Sequence, residues 1–175
     1  MILRTPEELE NLQALCVIWG AQLTLHPDEP EGAPLLYTFF LNERYTDANP
    51  VPRLEKGYCP GGRYHTAALW ERYGEASAKS YSNFQIMFPT AVELGYVGDP
   101  ETLDDDAQAI QWVVALLNRR LIRLSRKDNQ FASLEELLDA YNYGNPRDAN
   151  VPHEYIARGT RHYAEALRVL SQRTA

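Results

Sequence analysis

The 175-residue chain is poor in cysteine, histidine and basic charge, and each shortage removes a class of function. Cys16 and Cys59 are its two cysteines. They allow one disulfide, their surroundings require none, and no metal-ligand spacing is present. Cys16 falls in an apolar helical pattern and reads as a core thiol, whereas Cys59 stands in a loop beside Pro60-Gly61-Gly62. The four histidines, His26, His65, His153 and His162, are scattered in sequence and suggest neither a metal centre nor a catalytic triad. Neither metal nor cofactor is therefore expected. Seventeen basic against 24 acidic residues leave a net charge of −7, without the basic footprint of a nucleic-acid binder. The nearest thing to a basic patch, Arg119 to Lys127, reads as the solvated face and C-terminal end of a helix, where cations suit the dipole. No apolar run approaches the roughly 18 residues of a membrane span. The opening stretch, MILRTPEELENLQ, is acidic and amphipathic, unlike a secretory signal.

What is present is the composition of a globular domain: 45% hydrophobic and 23% charged residues, enough to build a real core. Helix signals dominate. Thr5-Pro6-Glu7-Glu8 combines a capping hydroxyl, proline at the first helical position and acids in the first turn. Leu9, Leu12, Leu15, Cys16 and Trp19 then recur at helical spacing, to an end expected between Ala21 and Leu25. A turn-rich breaker, His26 to Gly32, precedes a second helix expected from Pro34 to Glu43, although its aromatic content also suits a strand. Thr46 to Gly62 is rich in proline and glycine and is expected to be mostly irregular.

A short helix from Thr66 to Tyr73 should bury Leu69 and Trp70, and Pro89 should open another that ends at Gly95. The longest helix is expected to start at Thr102 to Asp106 and run through Leu121. Ser133-Leu134-Glu135-Glu136 is a capping box, and Pro152 to Leu170 reads as the last helix. The expected architecture is mostly α. Residues 1–33 are expected to form an N-terminal helix and connector packed on a domain of residues 34–170.

The stretch around which the chain is organised is LLYTFFLNERYTDANPVPRLEKGY, Leu35 to Tyr58. An apolar run ends abruptly at Asn42-Glu43-Arg44, so Glu43 sits where a buried helix gives way to an open loop. Desolvation on one side penalises the charged form of a carboxyl, which is how a glutamate becomes a general acid at neutral pH. The plainer reading is a surface glutamate following a core helix. Gln85, polar within the apolar run from Ser80 to Thr90, is hard to explain as core and points to a site. Asp47 and Asp104 to Asp106 read as loop and helix-cap acids. Tyr37, Tyr45, Tyr81 and Tyr96 are candidates to stack on sugar rings, though aromatics in a helical protein are mostly core.

Four pieces in order resemble the soluble lytic transglycosylase family of the lysozyme-like superfamily, which cleaves the glycan strands of peptidoglycan. The first is Glu43 after its apolar helix, then Asn49-Pro50 and the cluster Arg53, Glu55 and Tyr58. The second is Ser82-Asn83-Phe84-Gln85-Ile86-Met87-Phe88-Pro89-Thr90-Ala91, with Glu93-Leu94-Gly95-Tyr96 downstream. The third is Leu103-Asp104-Asp105-Asp106 at the start of a long helix. The fourth is Ala140-Tyr141-Asn142-Tyr143-Gly144, followed by a helix that bears Tyr155. The resemblance spans Leu35 to Leu167. It departs from the family at Arg44, where serine is usual, at Ser82, where glycine is usual, and at Tyr143, where a small residue is usual.

The resemblance implies a single-domain lysozyme-like helical fold with a long irregular loop after the catalytic helix. It also implies cleavage of the MurNAc-GlcNAc β-1,4 bond. Glycoside cleavage commonly employs two carboxylates. Here one, Glu43, would protonate the glycosidic oxygen and then act as base while the muramic acid 6-hydroxyl closes a 1,6-anhydro ring. Gln85, Tyr141, Asn142, Arg53, Glu55, Tyr58 and Tyr155 are the implied substrate-binding residues. Tyr141 is equally readable as core, Asn142 as a helix cap, and Arg53, Glu55 and Tyr58 as groups that shape a groove. A hydrolytic muramidase using Glu55 stays open, as does a non-catalytic peptidoglycan-binding module motivated by Arg44, Ser82 and Tyr143. The expected partner is the peptidoglycan strand, met by a monomer made in the cytoplasm and acting at the cell wall after export or lysis.

Overall fold

The computed structural model describes residues 5–43, 52–126, 130–143 and 153–172. Arg44, Tyr45, Asp47, Asn49, Pro50 and Gly144 lie outside them, as do the side chains of Tyr143 and His153. The protein is mostly helical with one small sheet. It divides into two compact units, one of residues 1–45 with 117–175 and one of residues 46–116.

In the first unit, α1 (Pro6–Gly20) starts as its sequence dictates. Thr5 Oγ1 accepts from the Glu8 amide at 3.2 Å and Glu8 returns a carboxylate to the Thr5 amide at 2.8 Å. The helix stops at Gly20, slightly before the expected range, because the chain must turn closely there. A β-carbon on Gly20 would meet the Ala33 nitrogen at 2.4 Å, and one on Gly32 the Gly20 carbonyl oxygen at 2.2 Å. That contact joins α1 to α2 (Gly32–Glu43), which is helix and not strand. Pro34 to Phe40 and Asn42 are all buried, so α2 is apolar around its circumference, as a central helix must be. The amphipathic α8 (His153–Ser171) packs on α2 and buries Tyr155, Gly159, Ala166 and Leu170 at helical spacing. Next to it, α7 (Leu134–Tyr143) opens with the expected capping box, the Glu136 amide donating to Ser133 Oγ at 3.2 Å.

The expected long helix is broken. It starts at Asp106, within the expected range, as α5 (Asp106–Leu116) after a 3₁₀ turn at Pro100–Asp104, but a π turn at Leu117–Leu121 interrupts it before α6 (Ile122–Ser125). The longest helix is α8, with 19 residues. The π turn has a structural role, since Asn118 binds the connector after α1. Its Oδ1 accepts from the Thr24 amide at 2.8 Å and its Nδ2 donates to the Gln22 carbonyl at 2.9 Å.

The second unit holds a three-stranded antiparallel sheet, β1 (Arg53–Leu54), β2 (Lys79–Tyr81) and β3 (Ile86–Met87), in that order. β1 and a 3₁₀ turn at Lys56–Tyr58 lie in the region expected to be irregular, where pairing with β2 supplies an order that local propensity does not. Ser80 pairs with both Arg53 and Met87. One core cluster of the unit is Tyr81, Phe88, Ala91 and Leu103, with Leu69, Tyr73, Val92, Tyr96 and Trp112 around it. In α3 (Ala67–Tyr73) Leu69 and Trp70 are half-buried, not buried as expected, because so short a helix packs at the margin of its unit. In α4 (Phe88–Glu93) the chain ends into Gly95 at φ +109°, the expected glycine stop.

Candidate active site

Glu43 is the last residue of α2 and is half-buried. The helix delivers it to the surface of the first unit, where one tyrosine from a distant segment bonds it and another stacks one turn away. From α8, the buried Tyr155 donates its hydroxyl to Glu43 Oε1 at 2.6 Å. From α7, Tyr141 stacks on Phe39, one turn before Glu43, with ring centroids 4.0 Å apart and an interplanar angle of 13°. Burial and the neighbouring Glu43 charge hold both phenols well above the ordinary tyrosine range; the hydrogen bond to Glu43 adds to the effect at Tyr155. Both therefore stay neutral O–H donors at any ordinary working pH.

The residue before Glu43 is equally constrained. Asn42 is 2% exposed, and its Nδ2 donates to the Tyr155 carbonyl at 3.2 Å. Its Oδ1 accepts from Arg158 Nε at 2.8 Å, and its own carbonyl accepts from the second nitrogen of that guanidinium at 3.3 Å. The Arg158 guanidinium also lies 5.4 Å from the centre of the Tyr155 ring. Close approach of α8 is possible because Gly159 has no side chain. A β-carbon there would sit 2.6 Å from a Leu138 methyl and 3.2 Å from Asn42 Nδ2.

Asn142, in the last turn of α7, is exposed.

In the second unit, Arg53, Glu55 and Gln85 are brought together through Ser80. Arg53 Nε donates to Glu55 Oε1 at 2.5 Å, and Ser80 Oγ lies 2.9 Å from Gln85 Oε1 and 3.4 Å from Glu55 Oε1. Gln85 Nε2 donates back to the Ser82 carbonyl at 2.9 Å. These bonds still leave the amide one N–H and one acceptor lone pair for a ligand. Ser82 and Gln85 both adopt left-handed backbone, φ +59° and +52°, so the β2–β3 loop turns tightly on two non-glycine residues. Asn83 ties that loop down, its amide and side-chain nitrogens bonding Asp106 at 2.6–2.9 Å.

Tyr58 packs at 5.3 Å from Tyr64, and the Tyr58 carbonyl lies 3.2 Å from His65 Nδ1. Tyr37 and Tyr81, offered by sequence as sugar platforms, are core residues with 5% and 1% exposure. Cys16 is a buried free thiol.

Sequence reasoning passed over Asn42, Arg158 and Ser80. Asn42 carried a signal, as an amide closing an otherwise apolar run. Arg158 lies one turn after Tyr155, yet nothing local says that it reaches α2. No family model, curated protein or solved structure matches the chain.

Proposed function

We propose that the protein cleaves peptidoglycan glycan strands as a lytic transglycosylase of lysozyme-like fold, with Glu43 as general acid and base. The observation that carries this reading is the hydrogen bond from the buried Tyr155 to Glu43, with Tyr141 stacked on Phe39 one turn before that carboxyl. Tyr155 and Tyr141 lie about a hundred positions from the first motif in sequence, yet one bonds Glu43 and the other stacks on the same helix one turn earlier. Directed at Glu43, the buried phenol has its partner and fixes that carboxyl in one orientation.

In the proposed reaction the Glu43 carboxylic acid gives its proton to the glycosidic oxygen as the bond to the muramic acid C1 breaks. The resulting carboxylate then takes the proton of the C6 hydroxyl as that oxygen attacks C1. The 1,6-anhydro ring closes without water, and Glu43 regains its proton. Tyr155 stays neutral throughout and holds the carboxyl in place as it changes state. Glu55 is bonded to Arg53 and Ser80, which fits a part in loop architecture better than orientation of a hydrolytic water.

The test is mass spectrometry of purified peptidoglycan after incubation with wild-type protein and with Glu43→Gln. Anhydro-muramyl ends made by wild type alone are the expected result. Reducing ends would move the reading to a hydrolytic muramidase. Glycan binding with no new ends, from folded protein, would make it a binding module.

A further inference from the structure

We propose that Arg158 is a positioning residue for Glu43, its guanidinium clamping both acceptors of Asn42 and so fixing the helix end from which the Glu43 carboxyl projects. The inference rests on the reading of Glu43 as acid and base. The last carbonyls of a helix lack intrahelical partners. At the end of α2 the Asn42 carbonyl receives the Arg158 guanidinium, and the same group takes the Asn42 side-chain oxygen. Two donors from one rigid plane fix orientation as well as distance, which a single point charge does not.

The clamp closes into a ring of contacts. Arg158 holds Asn42, Asn42 Nδ2 holds the Tyr155 carbonyl, and the Tyr155 ring lies beside the guanidinium. The Tyr155 hydroxyl then bonds Glu43. Each member is buried or half-buried, and Gly159 lets α8 come close enough for the ring to form. Without the guanidinium the end of α2 and the Tyr155 hydroxyl are free to shift independently. A displacement of about 1 Å at a reacting group is enough to cost on the order of a hundredfold in rate.

Three proteins test this: wild type, Arg158→Gln and Arg158→Lys, each assayed on soluble peptidoglycan fragments below its own melting temperature. Arg158→Gln should lose roughly 10- to 100-fold in kcat with KM little changed. Arg158→Lys, which keeps the charge but not the fork, should recover only a small part. In parallel, the Glu43 carboxyl carbon is titrated by NMR in all three, and its midpoint should be displaced in both variants. Lower melting temperatures with unchanged kcat and midpoint would make Arg158 merely structural and overturn the proposal. Full recovery by lysine would overturn the fork. If wild type forms no new glycan ends, the transglycosylase reading fails by itself, and the Glu43 titration still decides whether Arg158 positions that carboxyl.

Discussion

Tyr155 offers the sharpest probe at the scale of single residues. Its hydroxyl donates to Glu43 across 2.6 Å, while its ring packs beside Arg158. Tyr155→Phe removes the donor and keeps the packing. Under the proposed activity, loosening the carboxyl should slow glycan cleavage by roughly 10- to 100-fold, and loss of a hydrogen bond worth about 1.5–3 kcal/mol should lower the melting temperature by about 3–12 °C. Steady-state rates and a thermal melt on the same preparation check both parts. Glu43 itself was legible in the sequence, because an apolar run that stops on a carboxylate marks a boundary between core and water. Its partner was not, since Tyr155 lies 112 positions away and helical periodicity does not say which distant helix packs on which. Gln85 was legible as a polar group needing a partner. That Ser80 and Ser82 supply partners became visible once the hairpin register was known.

Two places show how elements are joined through single residues. At the α1–α2 turn, Gly20 and Gly32 face each other so closely that a β-carbon on either meets backbone, which cannot rotate away. Gly32→Ala should therefore destabilise by roughly 2 kcal/mol despite its better helix propensity, lowering Tm by about 4–8 °C in a calorimetric melt. In the β2–β3 loop, Ser82 holds φ +59° and partly offsets the strain by accepting the Phe84 amide at 3.1 Å. Ser82→Gly should be tolerated within about 1 kcal/mol, whereas Ser82→Val, β-branched and without the acceptor, should cost about 2 kcal/mol or more. Urea denaturation of the two variants separates them. The backbone conformation explains why glycine would suit the loop.

For the whole molecule, acid stability should depend on an ion pair between buried Glu29 and exposed Arg126 that the sequence did not suggest. Glu29 lies in the breaker between α1 and α2. Burial alone would raise its pKa, but the Arg126 guanidinium and the amides of His26 and Ala132 outweigh that and lower it from 4.5 to about 2. The folded state therefore favours ionised Glu29. Its stabilising contribution is complete above pH 4.5 and is lost as pH falls towards 2. A displacement of this size corresponds to roughly 3 kcal/mol. Wild-type Tm should fall steeply across that window. Glu29→Gln should start lower and show a flatter fall, as read by melts at stepped pH.

Local chemistry in the chain determined the mostly helical character and the starts of α1 and α7. It also set the burial of α2 and the prominence of Glu43. Caps, prolines and the 3.6-residue period act over a few neighbours, so they can be read without knowing the fold. Tertiary structure alone decided that Tyr155 meets Glu43, that Arg158 grips Asn42, and that Glu29 pairs with Arg126. It also decided the break after α5 and the pairing of β1 with β2. These contacts join segments tens of residues or more apart, and their geometry depends on helix packing and strand register, which no local pattern encodes.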